Sequence, residues 1–402
     1  MLSISSGHSA EYLTGQVAQG RENYYLDATT AGEPPGRWSG TGAEALGLVG
    51  EVGNDVMTAI YSEFRDPRDP KFADPATRDQ AATLGRAPGR FKSEEELVAE
   101  RLAAEPGALP ERVREIELEV RKKTRQPVMF VDATFSPVKS FTVMHTALQR
   151  AELDAQRAGD DVRAGMWAAM RAEVEAALWA GNQAMLSELS ARAGYARTGR
   201  HGAGAGRWTD AHDWTVASFH QSDSRDHDPQ QHIHNAILNR VVCPDGQVRA
   251  LDSRAIHAWK QAAGAIGERV MEEELSRRLG VRWVMRADGQ AREIEGIDQP
   301  VMDLFSERSA HINRTLAGRV TEFERAHGRA PNALELSRMR QQAALGTRRA
   351  KTSAGETAAD RLDRWDAELR AEVAGGLVAV AEQVRDQAQQ PARPAAATFS
   401  PA

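Results

Sequence analysis

Two strand-like stretches joined by a polar segment constrain the fold of this chain most strongly. "DWTVASFHQ" (213–221) and "HIHNAILNRVV" (232–242) are both rich in apolar and β-branched residues, and the segment between them is polar. Further strand-like stretches, "LSIS" and "PVMFVDATFS", alternate with stretches of helical spacing. We therefore predict an α+β fold: a central, mostly antiparallel sheet flanked by helices, with a helical C-terminal appendage.

The length of 402 residues allows two or three structural units. We predict one domain over residues 1–298, which includes a charged helical insertion at about 66–126. Within that insertion, "SEEELVAERLAAE" predicts a helix with Ser93 as its N-cap and Glu96 three residues on. A helical region is expected over 299–389, and the Pro/Ala-rich residues 390–402 predict a disordered tail.

Composition excludes some classes of protein. A single cysteine, Cys243, rules out an internal disulfide framework. No apolar run reaches the ~20 residues of a membrane span, and the N-terminus lacks a signal peptide, so we expect a cytoplasmic protein. The net charge of −6 argues against nucleic acid, but residues 301–351 carry ten Arg/Lys and five Asp/Glu. That excess suits either a local basic groove or a solvated helix face.

The histidines of the two strand-like stretches suggest a metal site. His232 and His234 are two residues apart, so they share one face of a strand. If the strands pair, a hairpin can bring His220 onto the same face. Three neutral imidazoles with open positions suit a catalytic divalent metal. An H-x-H pattern also arises by chance on strands, and His227 reads as a solvated loop residue.

Asp132 and three tyrosines could complete such a site. Asp132 lies between apolar residues in "FVDATFS" and could orient a ligand histidine or act as a general base. The alternative is a carboxylate at an exposed sheet edge. Tyr12, Tyr24 and Tyr25 are three of only five tyrosines. A tyrosine hydroxyl can attack phosphorus, although aromatic residues near an N-terminus also pack helices onto sheets.

Three motifs in order resemble the relaxase domain of conjugative plasmid transfer proteins, the TrwC-type MobF family of HUH endonucleases. They are "ENYYLDATTAGEPPGRWSGTGAEALGLVGEV", "VDATFSPVKSFTV" and "FHQSDSRDHDPQQHIHNAIL". The resemblance covers roughly residues 1–290. Together the three motifs are far more specific than any one of them.

The resemblance implies a role for each matching residue. It implies one divalent metal bound by three histidines, Mg²⁺ or Mn²⁺ in cells and Zn²⁺ or Ni²⁺ in vitro. An aspartate would hydrogen-bond a ligand histidine and help to deprotonate the tyrosine, and an arginine would lie near the DNA path. An N-terminal tyrosine would attack origin DNA, leaving a 5′-phosphotyrosyl link and a free 3′-hydroxyl. The matching residues are His220, His232 and His234 for the metal, Asp132, Arg225, and the tyrosines Tyr12, Tyr24 and Tyr25.

The sequence also departs from the family pattern. Many relatives have two tyrosine doublets, but "AEYLTG" keeps only Tyr12 at the first, so the nucleophile stays open among the three tyrosines. The H-x11-H spacing is a residue longer than in some relatives, and we expect a loop to absorb the difference. No G-x-x-x-x-G-K-[ST] motif is present, so we predict neither ATP binding nor helicase activity.

The expected activity is nicking and rejoining of one DNA strand at a transfer origin. The expected partners are single-stranded and supercoiled origin DNA, relaxosome accessory proteins and coupling proteins. Trp38, Trp208 and Trp214 are candidates for base stacking, with core packing as the alternative for each. Three other functions stay open: a rolling-circle replication initiator with the same site, a non-catalytic DNA-binding accessory protein, and a metallohydrolase unrelated to DNA.

Overall fold

A computed structural model describes most of the chain. The described residues are 1–7, 34–89, 91–107, 110–123, 127–199, 206–224, 227–346 and 356–389. The predicted Pro/Ala tail at 390–402 lies outside these ranges.

The described strands form one five-stranded sheet and three two-stranded hairpins. The central sheet has the order β1-β3-β7-β6-β2, and each of its neighbouring pairs is antiparallel. The predicted antiparallel α+β fold is therefore confirmed. The strands are β1 (Leu2–Gly7), β2 (Arg37–Ser39), β3 (Phe130–Phe135), β4 (Tyr195–Thr198), β5 (Arg207–Asp210), β6 (Val216–Asp223), β7 (Pro229–Leu238), β8 (Val241–Val242), β9 (Val248–Arg249), β10 (Trp283–Met285) and β11 (Arg292–Ile294).

The helices cover the sheet and build the C-terminal part of the chain. They are α1 (Thr41–Ala45), α2 (Asn54–Glu63), α3 (Glu94–Ala104), α4 (Pro110–Lys123), α5 (Lys139–Arg157), α6 (Asp161–Ala193), α7 (Ser253–Leu279), α8 (Gln299–Leu304), α9 (Glu307–His327), α10 (Ala333–Gly346), α11 (Ala358–Arg370) and α12 (Gly376–Ala388). Two 3₁₀ turns, Pro70–Phe72 and Arg78–Gln80, precede α3. Among the described residues, no helix combines the length and the apolar character needed to cross a bilayer.

Several local predictions match the structure. The stretch "LSIS" lies in β1. Helix α3 begins at a capping box, in which the Ser93 hydroxyl accepts from the Glu96 backbone N–H and the Glu96 carboxylate accepts from the Ser93 backbone N–H. Such a cap satisfies two donors that a helix end would otherwise leave open. Short-range signals of this kind are therefore sufficient to predict where these elements begin.

Strands β6 and β7 present two different faces, because side chains alternate along a strand. On one face, Val216, Ile233 and Ile237 join the core cluster built by the long helices α5, α6 and α7. We call this the helical face. On the other, Ala217, Phe219 and Ala236 join a second cluster that contains residues of α2. We call this the Asp132 face, because Asp132 pairs with Ala236 and lies on the same side.

A buried polar network ties the helical face to α6. The side-chain amides of Asn182 on α6 and Asn235 on β7 donate to each other's oxygens, at 3.0 and 2.7 Å. The Ser218 hydroxyl also donates to Asn235 Oδ1 at 2.7 Å, and Asn235 Nδ2 donates to the Ala133 carbonyl at 2.7 Å. Because the amides are hydrogen-bonded to each other, their burial costs little free energy, and the network sets the position of α6 on the sheet.

The last two helices contribute to the main core. Trp365 and Leu369 of α11 and Leu377 and Val380 of α12 belong to the same buried cluster as the sheet and α5. An ion pair between Arg150 of α5 and Asp363 of α11 reinforces this packing. The predicted helical C-terminal region is confirmed, while the domain boundary at residue 298 stays a prediction.

Candidate metal centre

His234 and Asp132 meet on the Asp132 face, as the sequence predicts. His234 Nδ1 donates to Asp132 Oδ2 at 2.9 Å and lies 3.1 Å from the Thr134 hydroxyl oxygen. Both residues are buried, with exposed fractions of 9% for His234 and 6% for Asp132. Since a carboxylate accepts at Nδ1, the proton of a neutral His234 lies on that nitrogen, and Nε2 carries the lone pair.

His232 has the same arrangement of its ring nitrogens. Its Nδ1 donates to the backbone carbonyl of Gln230 at 2.8 Å. The centroids of the His232 and His234 rings are 4.9 Å apart, with the ring planes at 73°. Two imidazoles thus lie side by side, and in each the Nδ1 proton is held by an acceptor and Nε2 is the nitrogen that can bind a metal.

The prediction that hairpin pairing brings His220 onto the face of the other two histidines is wrong. His220 pairs with Ile233, whereas Phe219 pairs with His234 and Gln221 with His232. Residues that pair directly across antiparallel strands share a face. His220 therefore lies on the helical face with Ile233, and the residue of β6 beside His232 is Gln221.

Contacts on the helical face hold His220 there. Its Nε2 lies 2.7 Å from Gln231 Oε1. Its ring packs edge-on against His145 of α5 and Trp179 of α6, with centroids 6.2 and 6.3 Å away. Burial and the nearby His145 lower the pKa of His220 to about 4, although Glu175 opposes the shift. The imidazole is thus a neutral member of a packed network.

A change of register within the hairpin explains the error. Near the turn Asp223 pairs with Pro229, but further along Gln221 pairs with His232. Three residues of β6 thus span the same length as four of β7, and the shift lies between Gln221 and Asp223. Continued without that shift, the ladder would pair His220 with His232. A one-residue slip moves every later side chain to the other face.

The Asp132 face brings together two imidazoles, His232 and His234, but not the third imidazole that the sequence predicts. No group of three or more His, Cys, Asp or Glu side chains in the described part of the chain could hold a metal ion. The Asp132 face offers two imidazoles and the Gln221 amide. The sequence gives no reason to single out Gln221, because amides carry no motif of their own; counting alternate residues from a correct register would have placed it on this face.

The tyrosines divide into two groups. Tyr12, Tyr24 and Tyr25 lie outside the described residues, as does Arg225. The hydroxyl of Tyr61 donates to the Ala236 carbonyl at 2.7 Å, and complete burial raises the pKa of this tyrosine. Tyr195 stacks on Trp208, with ring centroids 5.8 Å apart. Both described tyrosines are thus engaged in packing.

Hydrogen bonds connect the loop between β6 and β7 to the C-terminal helices. The His227 carbonyl accepts from the indole of Trp365 at 2.8 Å and from Arg364 at 3.2 Å. The carboxylate of Asp228 accepts from the backbone N–H of Glu307 at 3.0 Å. His227 is half-buried, not fully solvated as the sequence suggested, because these helices pack beside it.

An arginine-rich cleft of about 640 Å³ lies where β4, β9 and the start of α7 meet. It contains one acidic residue, Asp252, which pairs with Arg197 and Arg254. Five arginines line the cleft: Arg86, Arg197, Arg240, Arg249 and Arg254. With five arginines and one acidic residue in its lining, and with Arg249 paired to the nearby Asp245, the cleft has a net positive charge that suits an anion.

The three candidate tryptophans have different environments. Trp214 is buried, so core packing accounts for it. Trp38 is half-buried and lies beside Tyr61, with ring centroids 6.2 Å apart. Trp208 is 58% exposed and lies next to the arginine cleft, where its indole donates to Asp252 and Arg197 lies over its ring. Only Trp208 among the three has the exposure that base stacking needs.

A family comparison covers nearly the whole chain. The sequence matches the family model described as TrwC relaxase over residues 6–372. None of the curated proteins matches it.

Solved structures of the conjugative relaxase TrwC share the fold at 22% identity. The metal-bound complex with oriT DNA has a TM-score of 0.56, with 92% of this chain and 97% of that chain covered. For the copper-bound oriT complex the TM-score is 0.54 and the coverages are 96% and 98%. A complex with a 27-mer DNA comprising the recognition hairpin and the cleavage site gives 0.52, with coverages of 92% and 98%.

Proposed function

The chain belongs to the TrwC relaxase family, and from this premise we propose that it nicks and rejoins one DNA strand at a plasmid transfer origin. Family membership makes it an enzyme of conjugation that cuts DNA by transesterification. It also favours a relaxase over a replication initiator, an accessory protein that only binds DNA, or an unrelated metallohydrolase. The solved relatives contain oriT DNA, and one of them includes the cleavage site.

The observation that carries the proposal is the pair of imidazoles on the Asp132 face. His232 and His234 would hold a divalent metal through Nε2, and Asp132 would fix the orientation of His234. When bound, such a metal neutralises charge on the scissile phosphate. Mg²⁺ and Mn²⁺ are the ions we propose for the cell; relatives have been solved with metal, in one case copper.

A tyrosine of the N-terminal segment would be the nucleophile. Its phenolate oxygen forms a bond to phosphorus while the bond from phosphorus to the 3′-oxygen breaks, and that oxygen leaves as a 3′-hydroxyl after taking up a proton. The 5′-phosphate stays on the tyrosine, and reversal rejoins the strand. The packing roles of Tyr61 and Tyr195 support an assignment among Tyr12, Tyr24 and Tyr25.

The arginine cleft and Trp208 are a DNA surface in this proposal. Guanidinium groups bind phosphates in a fork geometry, so the cleft suits the DNA backbone. An exposed indole beside it provides a stacking surface for a base. Arg225 would extend the DNA path at the turn between β6 and β7. Local positive charge of this kind is compatible with DNA binding by a chain whose net charge is −6.

The cellular setting follows from conjugation. The proposed reaction takes place in the cytoplasm on single-stranded or supercoiled origin DNA, together with relaxosome accessory and coupling proteins. It requires no ATP, because transesterification conserves the energy of the phosphodiester bond.

A trapping experiment tests the proposed function. The protein is incubated with Mn²⁺ and a 5′-labelled or 3′-labelled oligonucleotide carrying the origin of its own plasmid. We expect a covalent adduct that retains only the 3′-labelled segment, since the 5′-phosphate stays on the protein. Tyr→Phe changes at 12, 24 and 25, made singly and together, identify the nucleophile.

The matched control is Tyr195→Phe, which removes a hydroxyl elsewhere in the chain and should leave the adduct unchanged. Adduct formation by the triple Tyr→Phe variant would refute the tyrosine assignment. Origin binding without any adduct would instead point to the accessory-protein alternative.

A further inference from the structure

We propose that Gln221, and not His220, supplies the third protein ligand of the metal on the Asp132 face. The inference rests on the proposed function, because that function is what calls for a metal there. The inference concerns only which residues bind the ion, so an experiment can refute it without refuting the proposed nicking activity.

The position of Gln221 follows from backbone pairing. Gln221 is directly opposite His232, and Phe219, two residues earlier, is opposite His234. Directly paired residues of antiparallel strands have Cβ atoms about 4.5–5.5 Å apart on one face. Gln221 is the polar residue of β6 at this point of the Asp132 face, and its side chain has no exposed surface. A glutamine side chain is long enough to bring its amide oxygen to an ion held by His232.

The position of His220 argues against it as a ligand. Its ring lies between His145 and Trp179, and its Nε2 meets Gln231 on the helical face. The backbone of the sheet separates this ring from His232 and His234. To join them, β6 would have to slip by one residue, which would also move Ser218 away from Asn235 and Phe219 out of its cluster.

The proposed ligand set has a chemical consequence. Imidazole nitrogen suits zinc, copper and nickel, whereas carbonyl oxygen suits magnesium and manganese. Replacing one imidazole by an amide therefore shifts preference away from the softer ions. The selectivity of this site for Mn²⁺ and Mg²⁺ over Zn²⁺ and Ni²⁺ would therefore be higher than that of a site with three histidines.

Two variants of neighbouring residues test the assignment. Gln221→His should add a third imidazole and raise Ni²⁺ affinity, measured by titration calorimetry, by about tenfold or more. Gln221→Leu removes the amide and should lower Mn²⁺ affinity by about tenfold. His220→Asn is the matched control, because it changes the adjacent residue on the helical face, and it should leave both affinities within about twofold.

Pulsed electron paramagnetic resonance with Cu²⁺ gives a readout that is independent of activity. We expect two coordinated imidazoles in the unchanged protein and in His220→Asn, and three in Gln221→His.

Three coordinated imidazoles in the unchanged protein, reduced to two by His220→Asn, would overturn the inference in favour of the three-histidine site. Gln221 variants that bind both ions like the unchanged protein would also overturn it. If His232→Ala does not weaken metal binding at all, the proposed site itself fails. Circular dichroism confirms that each variant is folded.

Discussion

The two faces of the β6–β7 strand pair contain histidines in contrasting environments. On the helical face His220 lies within a network of Gln231, His145 and Glu175 that links the sheet to α5 and α6. On the Asp132 face His232 and His234 hold their Nδ1 protons on acceptors and lie side by side. Burial is similar on both faces. The difference is how the ring nitrogens are used.

This difference separates a structural histidine from a candidate ligand. A buried imidazole whose Nε2 is engaged by a side-chain amide contributes to packing and to the polar network of the core. An imidazole whose Nδ1 is held by a carboxylate or a carbonyl has its Nε2 oriented for coordination. By this criterion the candidate metal ligands lie on one face, and the residues that support the fold lie on the other. Four predictions test that separation, from the largest expected effect to the smallest.

Removing both proposed ligands should have the largest effect. We expect His232→Ala/His234→Ala to lower the nicking rate by about a thousandfold, because a bound metal contributes several kcal/mol to stabilising charge at phosphorus. The rate is measured with a labelled origin oligonucleotide and Mn²⁺. His220→Asn should keep the rate within about tenfold. An equal decrease of the nicking rate in the two variants would contradict the assignment of different roles to the two faces.

Asp132→Asn should have the next largest effect. An amide at residue 132 is a weaker acceptor for His234 Nδ1, so we expect metal affinity to fall by about 10–100-fold. Calorimetric titration with Mn²⁺ measures the change. Thr134→Val is a useful comparison, since it removes the neighbouring hydroxyl and keeps the carboxylate. An unchanged affinity in Asp132→Asn would show that this carboxylate does not position the ligand.

Breaking the network of the helical face should affect stability instead. Asn235→Ala leaves the Asn182 amide and the Ser218 hydroxyl without their shared partner in the core. We expect the free energy of unfolding to fall by about 3 kcal/mol, measured by urea denaturation. Metal affinity of the folded variant should stay within about twofold, because Asn235 does not face the ion. A loss of metal binding in folded protein would contradict the separation of the faces.

The pH dependence of stability gives the smallest effect. The pKa of His220 is about 4 in the folded protein and about 6.5 in an unfolded chain, so only the unfolded chain takes up a proton between these values. The contribution of neutral His220 to the free energy of unfolding therefore has its full value above about pH 6.5, and it decreases as the pH is lowered towards 4. Between about pH 7.5 and about pH 5, the free energy of unfolding of His220→Asn should decrease by about 2 kcal/mol less than that of the unchanged protein. Urea denaturation at both pH values measures it; equal losses would mean that His220 titrates normally.

Much of the fold could be predicted from local signals. The apolar and β-branched composition of β6 and β7, and the capping box at Ser93, depend on residues close in sequence. The packing of α11 and α12 into the main core could not be predicted in this way, because it depends on contacts such as that between Arg150 and Asp363, more than two hundred residues apart.

The candidate site was predictable in part. Asp132, His232 and His234 stand out because polar residues in apolar strands need partners. The face of His220 was not predictable, because it depends on the irregular pairing between Gln221 and Asp223. Spacing alone fixes neither that irregularity nor the register beyond it. The position of Gln221 beside His232 becomes visible only once the register is known.

Anomalous X-ray diffraction from a crystal grown with Mn²⁺ tests the central claim most directly. The account predicts a peak on the Asp132 face, at coordination distance from Nε2 of His232, Nε2 of His234 and Oε1 of Gln221, with the His220 ring on the far side of the sheet. A peak bound to His220, with β6 shifted by one residue, would contradict it.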